Sequence, residues 1–188
     1  MQRRPSMAAS AAGLTVLVLL PSILNAQPFV PADFEVPRLL ETVDFRIRPL
    51  TVHDLVKDYD AVMTSRQHLR GVFGPESSWP QDTLSLTGNL VDLGWHQNEF
   101  QMRSSFTYAV MSPNEEQELG CVYLFPSSKS GYDAVVYYWV RSSAYEGGLE
   151  SALGQVLNDW LREAWPFKSV AFPGRGISWQ DWAALQGK

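Results

Sequence analysis

The stretch from Ala134 to Ala164, AVVYYWVRSSAYEGGLESALGQVLNDWLREA, decides the fold of this chain. Its first part, Ala134–Val140, is an unbroken apolar run that predicts a strand in the middle of a sheet, covered on both faces. Gly147 and Gly148 then predict a tight turn. Beyond the turn, apolar residues recur at steps of three and four, which predicts a helix with one buried face. These residues are Leu149, Ala152, Leu153, Val156, Leu157, Trp160, Leu161 and Ala164.

The composition suits one folded domain whose partner is not a nucleic acid. The 188 residues are 45% hydrophobic and 12% aromatic, which is enough apolar material for one packed core. The net charge is −5 and the basic residues are scattered, whereas nucleic acid binding requires a basic face. The single cysteine, Cys121, excludes an internal disulfide, and its apolar surroundings favour a buried, unreactive thiol. The histidines show no metal-ligand spacing, so we expect no metal site.

Residues 1–26 have the pattern of a secretory signal peptide. Two arginines precede the uncharged segment Ala8–Leu24, and the small residue Ala26 follows it. We expect a cleaved signal, an uncleaved membrane anchor, or a cytoplasmic tail or misassigned start. The folded domain is therefore predicted to comprise residues 27–188, and contact with a membrane is expected only if the N-terminal segment is retained.

The first half of this domain predicts one strand and two helices. Phe45–Leu50 alternates apolar and polar residues, as a half-buried strand does. Thr51 and Asp54 resemble a capping box at the start of a helix. After the loop Gly71–Asp82, a second helix is predicted over Leu84–Met102. The residues expected to face inward are Leu55, Tyr59, Val62 and Met63 on the first helix, and Leu86, Leu90, Leu93, Gln97 and Phe100 on the second.

The second half predicts a meander of three strands and a return strand. Phe106–Met111 and Leu119–Phe125 are expected to pair with each other and to precede Ala134–Val140. Pro166 ends the long helix, and Phe167–Phe172 predicts a further strand. The order of strand, two helices, three strands, helix and strand indicates an α/β protein with a mixed sheet.

Two segments in this order resemble the GNAT superfamily of acyl-CoA-dependent N-acyltransferases. Phe45–Thr51 followed by Asp54 is similar to the opening strand and first helix of that family. Tyr138–Val140 followed by Gly148 and Leu149 is similar to its cofactor-binding strand and helix. The resemblance covers roughly residues 36–172. It implies a mostly antiparallel central sheet with helices on both faces.

The resemblance also implies that acetyl-CoA is the acyl donor and that it binds at this strand and turn. In the family, the pantetheine arm pairs with exposed backbone of the strand, and the pyrophosphate lies on the glycine turn. The predicted cofactor-binding residues are Trp139, Val140, Arg141, Tyr145, Gly147, Gly148 and Leu149.

Two positions depart from the family pattern at this turn. Tyr145 stands where the family has arginine or glutamine, and it offers no amide or guanidinium donor to a phosphate. Glu150 stands where the family has a second small residue, and its carboxylate satisfies the positive end of the helix dipole. That carboxylate would repel a pyrophosphate about 4–6 Å away by a few kcal/mol at an effective dielectric near ~20. Glu146 adds a second negative charge beside the turn.

No catalytic residue can be assigned from the sequence. Amine acylation needs a base for the attacking amine and an acid for the leaving thiolate. Tyr137 and Tyr138 are candidates for the acid, and one of them must point away from the other. His96 and Glu99 share a face of the second helix and are candidates for proton transfer. Trp79, Trp95, Trp179 and Trp182 are the tryptophans that could line a cleft, whereas Trp139, Trp160 and Trp165 are expected to pack in the core.

Two functions remain open at this point. The first is an N-acetyltransferase that moves an acyl group from acetyl-CoA to a small-molecule amine or a peptide amine, with a cationic acceptor favoured by the acidic surface. The second is a catalytically inactive binding or structural module with the same fold, in which Tyr145 and Glu150 fill the pyrophosphate turn. The signal-like N-terminus favours export and the second function, because acyl-CoA is a cytoplasmic metabolite.

Overall fold

A computed structural model describes residues 28–188. The signal-like segment predicted over residues 1–26 lies outside them. Six strands form one sheet in which their spatial order is their order along the chain. The strands are β1 Leu40–Glu41, β2 Arg46–Pro49, β3 Phe106–Met111, β4 Glu118–Pro126, β5 Ala134–Val140 and β6 Val170–Ala171. The helices are α1 Leu55–Thr64, α2 Arg66–Leu69, α3 Leu86–Met102, α4 Ser142–Glu146, α5 Leu149–Ala164 and α6 Trp179–Ala184.

The predicted fold class is confirmed. Strands β1 to β5 pair antiparallel with their neighbours, and only β6 runs parallel to β5. The segment that decides the fold has the predicted bounds, because β5 covers Ala134–Val140 and α5 covers Leu149–Ala164. Six of the seven residues of β5 are buried, which places this strand inside the sheet with both faces covered.

Helices cover both faces of the sheet. On one face, α5 inserts Leu153, Leu157 and Trp160 among side chains of β3, β4 and β5. On the other face, Val62 of α1 and Leu93 of α3 pack over a second set of strand residues. That set includes Ala109, Met111, Cys121, Tyr123 and Trp139. The alternation of side chains along each strand produces the two cores.

An ion-pair network fixes the first helix to the sheet. The guanidinium of Arg48 on β2 donates to both carboxylate oxygens of Asp54, at 2.9 and 2.8 Å. The same carboxylate accepts from the backbone N–H of Thr51 at 2.9 Å. This bond is one of the two that make up the predicted capping box. Burial opposes ionisation of Asp54, but the bonds from Arg48 and Thr51 outweigh it and lower the pKa of this carboxyl.

The network predicts a defined loss of stability in acid. Because the pKa of Asp54 is lowered, its contribution is complete above the usual value of 3.8 and is lost as the pH falls below it. At pH 7, Asp54→Asn is expected to cost about 1.5–2 kcal/mol of unfolding free energy, as loss of a charge-assisted hydrogen bond does. Urea denaturation of both proteins at pH 7 and pH 3 checks this. If the wild-type chain and Asp54→Asn differed in unfolding free energy by the same amount at pH 7 and pH 3, the prediction would be contradicted.

The inward face of α3 differs from the prediction. Leu93 and Phe100 are buried as expected, but Leu86 and Leu90 are 44% and 41% exposed. Asn89 takes the inward position instead, because its side-chain amide donates to the buried carboxylate of Asp58 at 2.7 Å. This hydrogen bond directs Asn89, rather than Leu86 and Leu90, toward the core. The spacing of the apolar residues did not predict that orientation.

The last strand is shorter than Phe167–Phe172. The backbone N–H groups of Lys168 and Ser169 donate to the carboxylate of Asp133, at 2.7 and 3.1 Å, rather than to a neighbouring strand. Only Val170 and Ala171 pair with β5. No helix within residues 28–188 combines the length and the apolar character that are needed to cross a bilayer.

Candidate functional site

The sheet opens between β5 and β6. The two strands pair only at the start of β5, where Ala134 lies opposite Val170 and Val135 lies opposite Ala171. Beyond Ala171 the chain turns back on itself, and the N–H groups of Arg175, Gly176 and Ile177 donate to the carbonyl of Phe172. Within the described part of the chain, the second half of β5 therefore has β4 on one side and no paired strand on the other.

The backbone of Tyr138 and Val140 faces this opening. The N–H of Arg141 donates to the carbonyl of Leu119 on β4, at 2.8 Å. Since backbone groups alternate in direction along a strand, those of Tyr138 and Val140 point away from β4. The carbonyl of Tyr138 accepts from Nη2 of Arg175 at 3.0 Å, which confirms its direction.

A short helix replaces most of the predicted glycine turn. Helix α4 occupies Ser142–Glu146, and the N–H of Tyr145 donates to the carbonyl of Arg141 at 2.9 Å. Five residues are too few to show a helical period in a sequence, so the pattern did not predict it. The turn itself is confined to Gly147 and Gly148. Gly148 has φ of 81°, a left-handed conformation that glycine adopts without strain.

The N-terminus of α5 lies at the mouth of the opening. Gly148 is its N-cap residue and has no side chain to accept from the first N–H groups. The N–H of Ala152 donates to the carbonyl of Gly148 at 3.4 Å, so the three preceding N–H groups lie ahead of the first helical bond. A cavity of about 450 Å³ adjoins this end of the helix. It is lined by Tyr138, Tyr145, Glu146, Gly148, Glu150, Ser151 and Arg175.

Arg175 neutralises the carboxylate that was expected to repel an anion here. Its Nη2 lies 2.8 Å from Oε1 of Glu150, and its guanidinium stacks 3.9 Å above the ring of Tyr138. Both hydrogen bonds of Arg175 use Nη2, which leaves Nε and Nη1 as donors within the described part of the chain. Arg175 therefore compensates the charge of Glu150, while Glu146 also lines the cavity.

Sequence reasoning missed Arg175 because it comes from the far side of the fold. The residue lies in the turn after β6, within Pro173-Gly174-Arg175-Gly176. The only signal in the sequence is an arginine between two glycines, a pattern that also suits a solvent-exposed turn. Its position over Tyr138 depends on the divergence of β6 from β5.

The predicted cofactor-binding residues divide into two groups. Tyr145 and Gly148 line the cavity, Gly147 and Leu149 flank Gly148, and Val140 lies on the open edge of β5. The other two, Trp139 and Arg141, are turned away from it. A role in binding a cofactor stays a prediction for both groups.

Trp139 and Arg141 serve the opposite face of the sheet. The indole of Trp139 is fully buried and donates to the hydroxyl of Tyr123 at 3.1 Å. The guanidinium of Arg141 is paired with Asp60 of α1 at 3.0 Å, and it donates to the carbonyl of Glu118 at 3.3 Å. Both side chains therefore stabilise the packing of β5 rather than line the cavity.

The structure separates the two strand tyrosines, as predicted from strand alternation. Tyr138 lies under Arg175 on the α5 face, whereas Tyr137 lies on the α1–α3 face. There its ring stacks on Trp179 at 6.2 Å and meets the edge of Phe73 at 5.4 Å. Burial raises the pKa of the Tyr137 hydroxyl, so it stays protonated at neutral pH.

His96 and Glu99 are not brought to the cavity. Nδ1 of His96 lies 3.1 Å from Oγ1 of Thr107 on β3, and its ring meets Tyr123 of β4. Glu99 accepts from the hydroxyl of Ser105 at 2.7 Å. The two side chains do share a helix face, 3.8 Å apart, but they face β3 and β4 rather than the open edge of β5.

Three solved acetyltransferases have this architecture. No family model and no curated protein matches the sequence. A probable acetyltransferase aligns with a TM-score of 0.59 at 14% identity, over 71% of this chain and 72% of its own. The ribosomal-protein-S5-alanine acetyltransferase of Vibrio fischeri aligns with a TM-score of 0.55 at 19% identity, over 68% and 69%. A ribosomal L7/L12 alpha-N-protein acetyltransferase in complex with coenzyme A aligns with a TM-score of 0.53 at 15% identity, over 68% and 71%.

These likenesses establish the class of fold. The chain has the fold of the GNAT acetyltransferases, as the resemblance in its sequence implied. The structure of this chain itself shows the opening between β5 and β6 and the uncapped start of α5.

Proposed function

We propose that this protein is an N-acyltransferase that uses acetyl-CoA as acyl donor. One observation carries the proposal: the open edge of β5 leads to an uncapped helix N-terminus beside a partly exposed arginine. An extended amide chain that ends in phosphates requires these two kinds of site in this order. The acetyltransferase names of the solved structures with the same fold support the proposal.

The residues present fit such a cofactor. The N–H of Tyr138 and the backbone of Val140 lie on the edge of β5 that no strand pairs, and they are available to an amide-bearing arm. The N–H groups ahead of the first bond of α5, together with Nε and Nη1 of Arg175, offer donors and positive charge to a pyrophosphate. When bound, acetyl-CoA supplies an acyl group activated as a thioester. Arg175 here takes the place of the basic or amide side chain that Tyr145 does not provide.

We propose that the acceptor amine approaches on the α1–α3 face of the sheet. Tyr137 projects there from the open half of β5, within an aromatic cluster with Phe73 and Trp179. The Tyr137 hydroxyl carries a proton at neutral pH and is the proposed donor to the leaving thiolate, although burial raises its pKa and so makes it a weaker acid. The net charge of −5 favours a cationic amine. Two of the fold relatives are named for amino groups of ribosomal proteins, which makes a peptide amine a reasonable acceptor to test.

Calorimetric titration of the full-length chain with acetyl-CoA tests the cofactor. Arg175→Ala is expected to weaken binding about 10- to 100-fold, because it removes charge-assisted hydrogen bonds and frees the charge of Glu150. The double variant Arg175→Ala/Glu150→Gln is expected to recover part of this loss. Arg162→Ala is the matched control, since Arg162 lies on α5 but forms only surface pairs, with Asp159 and Glu163.

The proposal fails if millimolar acetyl-CoA produces no heat with the wild-type chain. That outcome would favour the second function, an inactive module with the same fold. Equal losses in Arg175→Ala and Arg162→Ala would show that the cofactor does not bind at the opening between β5 and β6.

A further inference from the structure

Three side chains with metal-binding groups meet inside the protein, away from the proposed cofactor site. Asp58 projects from α1, and Glu118 and Cys121 project from β4. One ligand atom from each lies within 4.8 Å of the others. Asp58 is 3% exposed, and the other two are fully buried. We call these three residues the buried acid–thiol cluster.

The buried acid–thiol cluster lacks the positive partner that buried carboxylates require. Among the described residues, Oε2 of Glu118 has no hydrogen-bond partner. Within residues 28–188, neither carboxylate forms an ion pair with a lysine or arginine. The guanidinium groups of Arg48 and Arg141 pair with other carboxylates, Arg48 with Asp54 and Arg141 with Asp60. Two adjacent buried carboxylates without compensation are costly, and a cation offsets that cost.

We propose that Asp58, Glu118 and Cys121 bind a divalent zinc-like cation. The spacing of the ligand atoms is near that of a tetrahedral site for one sulfur–oxygen pair and about 0.5 Å shorter for the other. With Zn–S near 2.3 Å and Zn–O near 2.1 Å, a tetrahedral site places sulfur and oxygen about 3.6 Å apart. The Sγ of Cys121 lies 3.1 Å from Oε1 of Glu118 and 3.7 Å from Oδ1 of Asp58.

The chemistry of the ligands selects the class of metal. A thiolate is a soft ligand that favours zinc over magnesium or calcium, which require oxygen ligands throughout. Asn89 of α3 donates its side-chain amide to Oδ2 of Asp58 at 2.7 Å, and this bond would hold that carboxylate in place for the metal. Since all these side chains are buried, the site is closed to substrate. The metal would join α1 to β4 and stabilise the fold.

Binding is balanced by proton release. The thiol proton of Cys121 and any carboxyl proton of the pair pass to solvent as the metal–ligand bonds form, with no change in oxidation state. The proposal is independent of acetyl-CoA binding, since the buried acid–thiol cluster shares no residue with the cavity beside α5.

Metal content and thermal unfolding of the full-length chain test the site. The chain purified from zinc-supplemented medium is expected to hold one zinc per chain by elemental analysis. Its midpoint of thermal unfolding should fall when a strong chelator removes the metal and recover when zinc is added. Cobalt in place of zinc should give a thiolate-to-metal charge-transfer band, which Cys121→Ser abolishes. Glu118→Gln should lose the metal and the response to zinc, whereas Glu163→Gln, an exposed control on α5, should keep both.

The outcomes are decisive in either direction. Only trace zinc in the wild-type chain, with an unfolding midpoint that zinc and chelator leave unchanged, would show that the cluster shares a proton instead and would overturn the proposal. Zinc retained by Cys121→Ser with an unchanged cobalt spectrum would also overturn it. If Glu118→Gln does not fold, the cobalt spectra of the wild-type chain and of Cys121→Ser decide between these outcomes.

Discussion

Trp139→Ala is expected to lower the free energy of unfolding by about 3–5 kcal/mol, the cost of truncating a large core aromatic. Trp139 is fully buried near the C-terminal end of β5. Its ring packs near Trp79, and its indole N–H donates to the hydroxyl of Tyr123 at 3.1 Å. Truncation therefore leaves both a cavity and a buried hydroxyl that has lost its donor.

Chemical denaturation followed by circular dichroism measures this loss. Trp95→Ala is the matched control, because Trp95 is 63% exposed on α3 and its truncation should change stability by about 0.5 kcal/mol or less. Equal effects of the two substitutions would show that Trp139 is not packed in the core beneath α1 and α3.

Gly120→Ala is expected to cost about 3 kcal/mol, at the upper end of the usual range for overpacking. Gly120 lies on β4, opposite Val140 on β5. A methyl group there would meet the carbonyl group of Trp139 and lie 2.9 Å from the Cα of Val140. Both neighbours are backbone atoms, which cannot rotate away as a side chain does. The two strands would have to separate beside the opening that we propose as the cofactor site.

Gly94→Ala provides a control of opposite sign. Gly94 lies within α3, and a methyl group added to it would meet no atom of the described residues within 4 Å. Alanine should therefore raise stability by up to about 1 kcal/mol, since glycine is the poorer helix former. The unfolding midpoints of the two variants should move in opposite directions, and a stable, unshifted Gly120→Ala would contradict the close approach of β4 and β5.

Local patterns were sufficient for most of the elements. The bounds of β5 and α5 follow from an apolar run, two glycines and a helical period, all of which depend on neighbours in the sequence. The strands around Phe106–Met111 and Leu119–Phe125 were predictable for the same reason. The inward face of α3 was not predictable, because the polar contact between Asn89 and Asp58 joins two different helices.

The candidate sites were less accessible to the sequence than the fold. Gly148 and Tyr145 could be located at the cavity because the turn lies in one continuous segment. The positive charge of Arg175 at this cavity could not be predicted, since the turn after β6 brings this residue there from a distant part of the sequence. The sequence analysis therefore overestimated the repulsion from Glu150.

The sequence by itself determined the order of strands and helices, because side-chain periodicity and glycine positions act over a few residues. Only the tertiary structure decided what surrounds each charge. It placed Arg175 beside Glu150, and it brought Asp58 of α1 against Glu118 and Cys121 of β4. The physical reason is that charges and metal ligands act through space. Strand pairing and helix packing set the partners of each charge and ligand, and the spacing of residues along the chain does not indicate those partners.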